Sequence, residues 1–249
     1  MKVFLTSGGT KTPIDSVRHV GNMSKGTFGC HLCNAFLKMG HTVHYFYAKD
    51  SKAPHDFRLN LKEVGSREAM ETLLESYDFL DDFGDRYIPM EYSDFNSYAE
   101  GLKKMLGSGL FDLPDVVVLA AAVSDYAPVK HEGKISSDLD KMVIEFEKTP
   151  KLIRQIRDFC PKTFLVGFKL LVGSTQDELL EAMKKQMKVA KTDMVVGNDL
   201  RDIRADKHSL TILRADGGIS GFSGMSGDKL AEYLVGSIDI LQGRKKRLA

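Results

Sequence analysis

The nine residues DVVVLAAAV, Asp115–Val123, limit the possible fold more than any other stretch of the chain. They form a short, continuous, largely β-branched apolar run, the pattern of a strand covered on both faces of a parallel sheet. Parallel strands need long crossovers, and strand and helix patterns alternate through most of the sequence. KVFLTS reads as the first strand and residues 25–39 as the first helix, closed by Gly40. HTVHYFYA reads as a second strand. VGSREAMETLLESYD reads as a helix begun at Ser66, with Glu68 and Glu71 where the helix dipole favours negative charge. YIPMEY gives a short strand, and Asp94–Leu106 a helix with Tyr98, Leu102, Met105 and Leu106 on one side.

Beyond DVVVLAAAV, the stretch SDYAPVKHEGKISSDLDK has neither period and reads as a loop, and MVIEFEK alternates as a strand. Pro150–Phe159 reads as helical, TFLVGFKL as a strand, and Thr175–Ala190 as a lysine-rich helix. DMVVGN closes the parallel set. HSLTILRADGGISGFSG reads as a strand pair joined at Asp216-Gly217-Gly218, and Asp228–Leu241 as the last helix. The expected fold is α/β: a Rossmann-like, three-layer α/β/α arrangement with a mostly parallel central sheet and a C-terminal strand pair. One domain is expected over residues 1–249.

The charge balance is nearly neutral, net +1, so no global field recruits nucleic acid or a membrane surface. No apolar run approaches the ~18–20 residues of a membrane-spanning helix, and MKVFLTSGG lacks the long apolar region of a signal peptide. A cytoplasmic protein is expected. Three cysteines are no disulfide framework. Cys30 and Cys33 form a C-x-x-C, but zinc needs two more ligands and a redox pair sits at a helix's first turn. A packing role is expected instead. The closing run Arg244–Arg247 reads as a solvated tail.

Residues 5–29 carry the densest chemistry. The first strand runs into Ser7-Gly8-Gly9-Thr10, then a polar loop with Pro13, Asp15 and Arg18, then Asn22 and Ser24-Lys25-Gly26 before a helix. Backbone N–H groups, a guanidinium and an amide thus gather at the carboxyl end of a strand, where open α/β sheets bind phosphorylated ligands. The dinucleotide fingerprint G-x-G-x-x-G fails, because Lys11, Thr12 and Pro13 occupy its later positions. Arg18 suits a bidentate grip on phosphate or carboxylate; the alternative is a pair with Asp15. Asn22 can hold an acyl group without ionising, or cap a turn. Asp125 lies just past the carboxyl end of the central strand. Lys134, beside Gly133, can bring positive charge to a phosphate, or be one of many solvated lysines. Phe168 can stack on a base with Lys169 near a phosphate, or be a core phenylalanine.

With these stretches assembled, the chain resembles the phosphopantothenate–cysteine ligase family over nearly its whole length. The motifs are GGT-x-x-P-I-D-x-V-R-x-x-x-N-x-S-x-G-x-x-G, A-A-V-S-D-Y with K-I-S-S after it, K-T-P-K-L-I, V-G-F-K and D-M-V-V-G-N-D. The resemblance implies the free-standing form, without the flavin-dependent decarboxylase half of many bacterial members, and therefore no flavin. It implies two steps. The carboxylate of 4′-phosphopantothenate attacks the α-phosphate of a nucleoside triphosphate, giving an acyl-nucleotide and pyrophosphate. The amine of L-cysteine then captures the acyl group and releases the nucleoside monophosphate. Mg²⁺ accompanies the triphosphate, and no protein metal ligand is named.

The matching positions carry implied roles. Asn22 and Lys134 are the implied catalytic pair, Asn22 holding the acyl intermediate and Lys134 aiding nucleotide activation. Gly8, Gly9, Thr10, Arg18 and Asn22 are implied for substrate binding. Ala120, Ala121, Asp125, Lys134, Pro150, Lys151, Leu152, Ile153 and Phe168 are implied for the nucleotide. Family members are homodimers whose active sites are completed by the partner, so a homodimer is expected. K-I-S-S departs from the K-I-K-K of fused bacterial members, while V-G-F-K-L-L resembles the eukaryotic F-K-L form. Bacterial members use CTP and eukaryotic ones mostly ATP; CTP is favoured here because a compact, free-standing chain suggests a bacterial source. Lys184, Lys185, Lys188 and Lys191 stand near the family's phosphate-binding lysines with a shifted register, and none is assigned. The alternatives are an NAD(P)-dependent oxidoreductase, which lacks its glycine fingerprint and a well-placed Tyr-x-x-x-Lys, and a non-catalytic nucleotide-binding protein, which would not need Asn22 and Lys134 together.

Overall fold

The computed structural model describes residues 1–54, 67–109, 112–137, 140–203 and 207–248. In chain order the elements are β1 (Lys2–Ser7), β2 (Lys11–Pro13), β3 (His19–Gly21), α1 (Thr27–Lys38), β4 (Thr42–Ala48), α2 (Arg67–Phe83), β5 (Tyr87–Tyr92) and α3 (Phe95–Gly107). Then follow β6 (Val116–Leu119), β7 (Tyr126–Pro128), β8 (Phe146–Lys148), α4 (Ile156–Phe159), β9 (Phe164–Leu171), α5 (Gln176–Ala190), β10 (Met194–Asp199), β11 (His208–Arg214), β12 (Ile219–Met225) and α6 (Gly227–Leu248).

Eight strands form the central sheet in the order β12-β11-β10-β9-β6-β1-β4-β5. The six from β10 to β5 run parallel, and β11 and β12 return antiparallel at one edge. From β1 the chain steps outward to β4 and β5, then crosses back to β6, β9 and β10. The order therefore reverses between β1 and β6, the place where loops of an open α/β sheet part and ligands bind.

Of the apolar run at residues 115–123, only Val116–Leu119 forms β6, while residues 120–123 leave the sheet half-buried and Ala122 bridges Gly9; the strand's continuity has a direct cause. Val116 and Val118 face one core with Val3, Leu5, Leu32, Phe36, Leu230, Leu234 and Ile238, beneath α1 and α6. Val117 and Leu119 face the other with Phe4, Phe46, Tyr98, Leu102 and Ile156, beneath α3 and α4. Alternate side chains of one strand thus fill two cores, and no position is left for water. Cys33 is fully buried in the first core, and burial raises its thiol pKa well above the usual value.

The structure departs from the sequence reading at several elements. The polar loop after β1 contains a hairpin, β2 paired with β3. The presumed loop after β6 contains β7, and MVIEFEK contributes only Phe146–Lys148, which pairs with β7 and not with the central sheet. Pro150–Phe159 begins as a 3₁₀ turn at Leu152. The last helix runs to Leu248, so Arg244–Arg247 continues the helix where the sequence suggests a tail beyond it. Within that run, Lys245 donates to both oxygens of Asp193. Ser66 and the helix start assigned to it lie outside the described residues.

Candidate active site

The loops that leave β1 and β6 are joined at the switch point by backbone bonds. The Ala122 N–H donates to Gly8 O at 2.8 Å, and Ala122 O accepts from the Thr10 N–H at 3.0 Å. Thr10 Oγ1 accepts from the Ser124 N–H at 2.9 Å, while the Ala121 N–H donates to Thr6 Oγ1 at 3.2 Å. Gly8 has φ of 85°, and a Cβ there would stand 2.7 Å from side-chain atoms of Ala48 and Ser51. Conformation and space both require glycine at that turn.

The first turn of α1 opens onto the same place. Its N-cap, Gly26, supplies no side-chain bond, and no acidic residue lies in its first turn. The helix therefore brings leading N–H groups and the positive end of its dipole without an internal anion to satisfy them. A Cβ on Gly29 would meet Ser7 Oγ at 2.1 Å, so the missing side chain lets α1 rest against the end of β1.

Asn22 stands over the joined loops. Its Nδ2 donates to Ala122 O at 2.7 Å and its N–H to Thr10 O at 3.3 Å. The residue is exposed, with one amide hydrogen and Oδ1 left for a ligand. Arg18 is half-buried and pairs with Asp15: Nη1 donates to Asp15 Oδ2 at 2.8 Å and to Ile135 O at 3.3 Å. Lys134 is exposed and forms no ion pair among the described residues. Its loop lies against the β1 loop through Ser16 N–H to Gly133 O at 3.0 Å and His131 N–H to Ile14 O at 2.9 Å.

The residues implied for the nucleotide divide between the two faces of the sheet: Ala121, Leu152 and Ile153 pack on the α3 and α4 side, Ala120 and Phe168 on the α1 and α6 side. Asp125 pairs with Lys151, and Thr149 Oγ1 donates to Ser124 O at 2.6 Å, holding the strand-to-turn segment before Pro150. Leu152 and Ile153 are half-buried, and Ala120 packs against the first core while Ala121 packs against the second. A Cβ on Gly167 would meet Ile153 Cδ1 at 2.9 Å and Gln186 Nε2 at 2.4 Å, so Ile153 and Gln186 both cover the middle of β9. Phe168 is half-buried and meets Phe28 edge-on at 6.1 Å. Gln186 Nε2 also donates to Phe168 O at 3.3 Å.

Two of these residues escaped the sequence reading. Gln186 hides in a lysine-rich helix, although its place after Leu179 and Met183 follows the buried spacing of α5. Lys184, Lys185, Lys188 and Lys191 are all exposed, and Lys184 pairs with Glu181. Asp15 appeared only as a partner for Arg18, yet it is 3% exposed and bonded to two loops. Its pKa lies below the ordinary carboxylate value because the Val17 N–H bonds to it, followed by the Ile135 and Arg18 N–H groups and the Arg18 charge, against the cost of burial. No group of three or more metal-ligating side chains occurs among the described residues, and no helix there is long and apolar enough to cross a membrane.

A family model described as the DNA/pantothenate metabolism flavoprotein C-terminal domain matches residues 1–81 and 97–241. The coenzyme A biosynthesis bifunctional protein CoaBC of Thermococcus kodakarensis is 32% identical over 216 residues, covering 86% of this chain. The chain spans 45% of that relative's own length. Phosphopantothenate–cysteine ligase of Mus musculus is 30% identical over 237 residues, 82% of this chain and 73% of the relative. Among solved structures, a Cab2 mutant in complex with phosphopantothenate-cysteine superposes with a TM-score of 0.80 at 22% identity, covering 99% of this chain and 87% of that one.

Proposed function

Since the chain belongs to the DNA/pantothenate metabolism flavoprotein C-terminal domain family, we propose that it is a phosphopantothenate–cysteine ligase working as one domain. It joins 4′-phosphopantothenate to L-cysteine at the expense of a nucleoside triphosphate, with CTP favoured over ATP. The observation that carries the reading is the junction of the β1 and β6 loops. It sets the Asn22 amide on the Ala122 carbonyl and holds the Lys134 loop against the Asp15–Arg18 turn.

These positions suit a two-step acyl transfer. The uncapped start of α1 favours the anionic end of a phosphorylated acid. In the first step the acid's carboxylate oxygen attacks the α-phosphorus, and pyrophosphate leaves. Lys134 brings positive charge to the phosphoryl oxygens as that bond forms. Mg²⁺ enters with the triphosphate as part of the substrate. In the second step the cysteine nitrogen attacks the acyl carbon and the nucleoside monophosphate leaves. Asn22 holds the mixed anhydride by hydrogen bonding and, being neutral, adds no charge that would repel it. Ala120, Ala121, Asp125, Pro150–Ile153 and Phe168 line the nucleotide's place, and Gly8, Gly9, Thr10 and Arg18 that of the acid.

A homodimer and a cytoplasmic setting belong to the same reading. Val17, 62% exposed, and Met23, 100% exposed, adjoin Arg18 and Asn22 in sequence, where a second copy of the chain would cover them. The test is to supply 4′-phosphopantothenate, L-cysteine and Mg²⁺ with either CTP or ATP and to measure pyrophosphate. Release that requires the acid and is faster with CTP is expected. No release with either nucleotide, or turnover only on adding NADPH, rejects the ligase reading.

A further inference from the structure

Asp15 is a buried carboxylate followed by the exposed Ser16 and Val17, and its two oxygens serve different segments. Oδ1 accepts from the Val17 N–H at 2.9 Å and the Arg18 N–H at 2.7 Å, which folds the turn itself. Oδ2 accepts from Arg18 Nη1 at 2.8 Å and, across the site, from the Ile135 N–H at 3.1 Å. A carboxylate is costly to bury unless charged or polar donors surround it, and here four donors do so.

The peptide units on both sides of Lys134 are held by this turn. The Ile135 N–H belongs to the peptide that follows Lys134 and is bonded to Asp15. The Gly133 carbonyl belongs to the peptide that precedes it and accepts from the Ser16 N–H at 3.0 Å. Arg18 Nη1 adds a bond to Ile135 O, closing a ring through Asp15. The backbone at Lys134 is thereby fixed from two sides, while its amine remains exposed at the end of a flexible stem. We propose that Asp15 is a positioning residue that latches the Lys134 loop to the β1 loop and sets that lysine for nucleotide activation. The proposal rests on the ligase reading for the role of Lys134, but the latch itself can be tested without any turnover.

Hydrogen exchange on the wild-type protein reads the latch directly. The Ile135 amide is expected to exchange at least about tenfold more slowly than the Lys134 amide, after correction for intrinsic rates. In Asp15→Asn, which keeps one acceptor oxygen but places an NH₂ group opposite the Ile135 donor, that protection is lost while β1 and β6 amides keep theirs. Equal exchange at Ile135 and Lys134 in the wild type, or unchanged protection in the variant, overturns the latch. The role is read by half-reactions. Asp15→Asn slows pyrophosphate release about 30-fold or more without cysteine, leaves cysteine capture of preformed acyl-nucleotide within about twofold, and adds less than about threefold to the loss in Lys134→Gln. Losses in both half-reactions, or losses that multiply with Lys134→Gln, assign Asp15 a merely structural part and overturn the role. Wild-type protein that releases no pyrophosphate rejects the ligase reading, and exchange at Ile135 then still decides the latch.

Discussion

Asp15, past the carboxyl end of β1, and Asp193, at the amino end of β10, use the same bonding at opposite ends of the sheet. Each is bonded to an arginine and to a backbone N–H from another segment. Asp193 accepts from Arg157 Nη2 at 2.7 Å, from Lys245 Nζ at 2.8 and 2.9 Å, and from the Leu165 N–H at 2.8 Å. Arg157 also donates to Lys191 O and Thr163 O. That knot joins α4, β9, β10 and α6, all packed elements. Asp15 joins only two loops outside the central sheet. Equivalent polar chemistry should therefore act on stability at one end and on the geometry of a reacting group at the other.

The sharpest break between the two ends is a loss of turnover without a loss of fold. Lys134→Gln is expected to reduce pyrophosphate release by about 100-fold or more, the scale of removing one transition-state charge, with an unchanged melting temperature. A destabilised variant would mean that Lys134 supports its loop and does not act on the nucleotide. Asp193→Ala is the converse. Leaving Arg157 and Lys245 without their partly buried partner costs about 2–3 kcal/mol by urea unfolding, reduced from the fully buried case by the exposure of the pair. Its kcat should stay within about twofold; a selective loss of activity at full stability would dissolve the contrast.

A pH series sharpens the comparison at Asp15. Its pKa is lower in the folded state, so folding releases no proton from it at neutral pH and the unfolded chain binds more protons as the medium is acidified. The latch is complete above the ordinary carboxylate pKa, about 3.9, and is lost as pH falls through the lower folded value. Corrected protection of the Ile135 amide should be flat from pH 7 to 5, and a loss already evident above pH 5 contradicts the stated bonding. The smallest effect is expected on α5. Lys184→Ala removes an exposed pair with Glu181, worth less than about 0.5 kcal/mol, and should shift the nucleotide KM less than Gln186→Ala does. A larger shift from the lysine would turn the exposed face of α5 toward the nucleotide.

Much of the fold was legible because burial leaves a periodic trace. β6 shows it as an unbroken apolar run, and α3 as the spacing of Tyr98, Leu102 and Leu106 behind the Asp94 cap. The short pairs β2–β3 and β7–β8 leave no such trace: they are mostly exposed and are held by backbone bonds. Near the end of α6, Lys245 meets Asp193, 52 positions away in sequence, a pairing that composition does not reveal. At the candidate site, Asn22, Lys134 and Asp125 were legible from residue type and from their place beyond the carboxyl ends of β1 and β6. Asp15 could be read as a partner of Arg18, but its bond to Ile135 spans 120 positions and exists only once β1 and β6 lie side by side.

The most direct test of the account is a rapid-quench experiment on Asn22→Ala with 4′-phosphopantothenate, Mg²⁺ and CTP, first without and then with L-cysteine. The account predicts that an acyl-nucleotide forms at nearly the wild-type rate, together with pyrophosphate, and persists after cysteine is added. Consumption of CTP with no acylated nucleotide in either protein, or capture by cysteine at the wild-type rate in the variant, would contradict it.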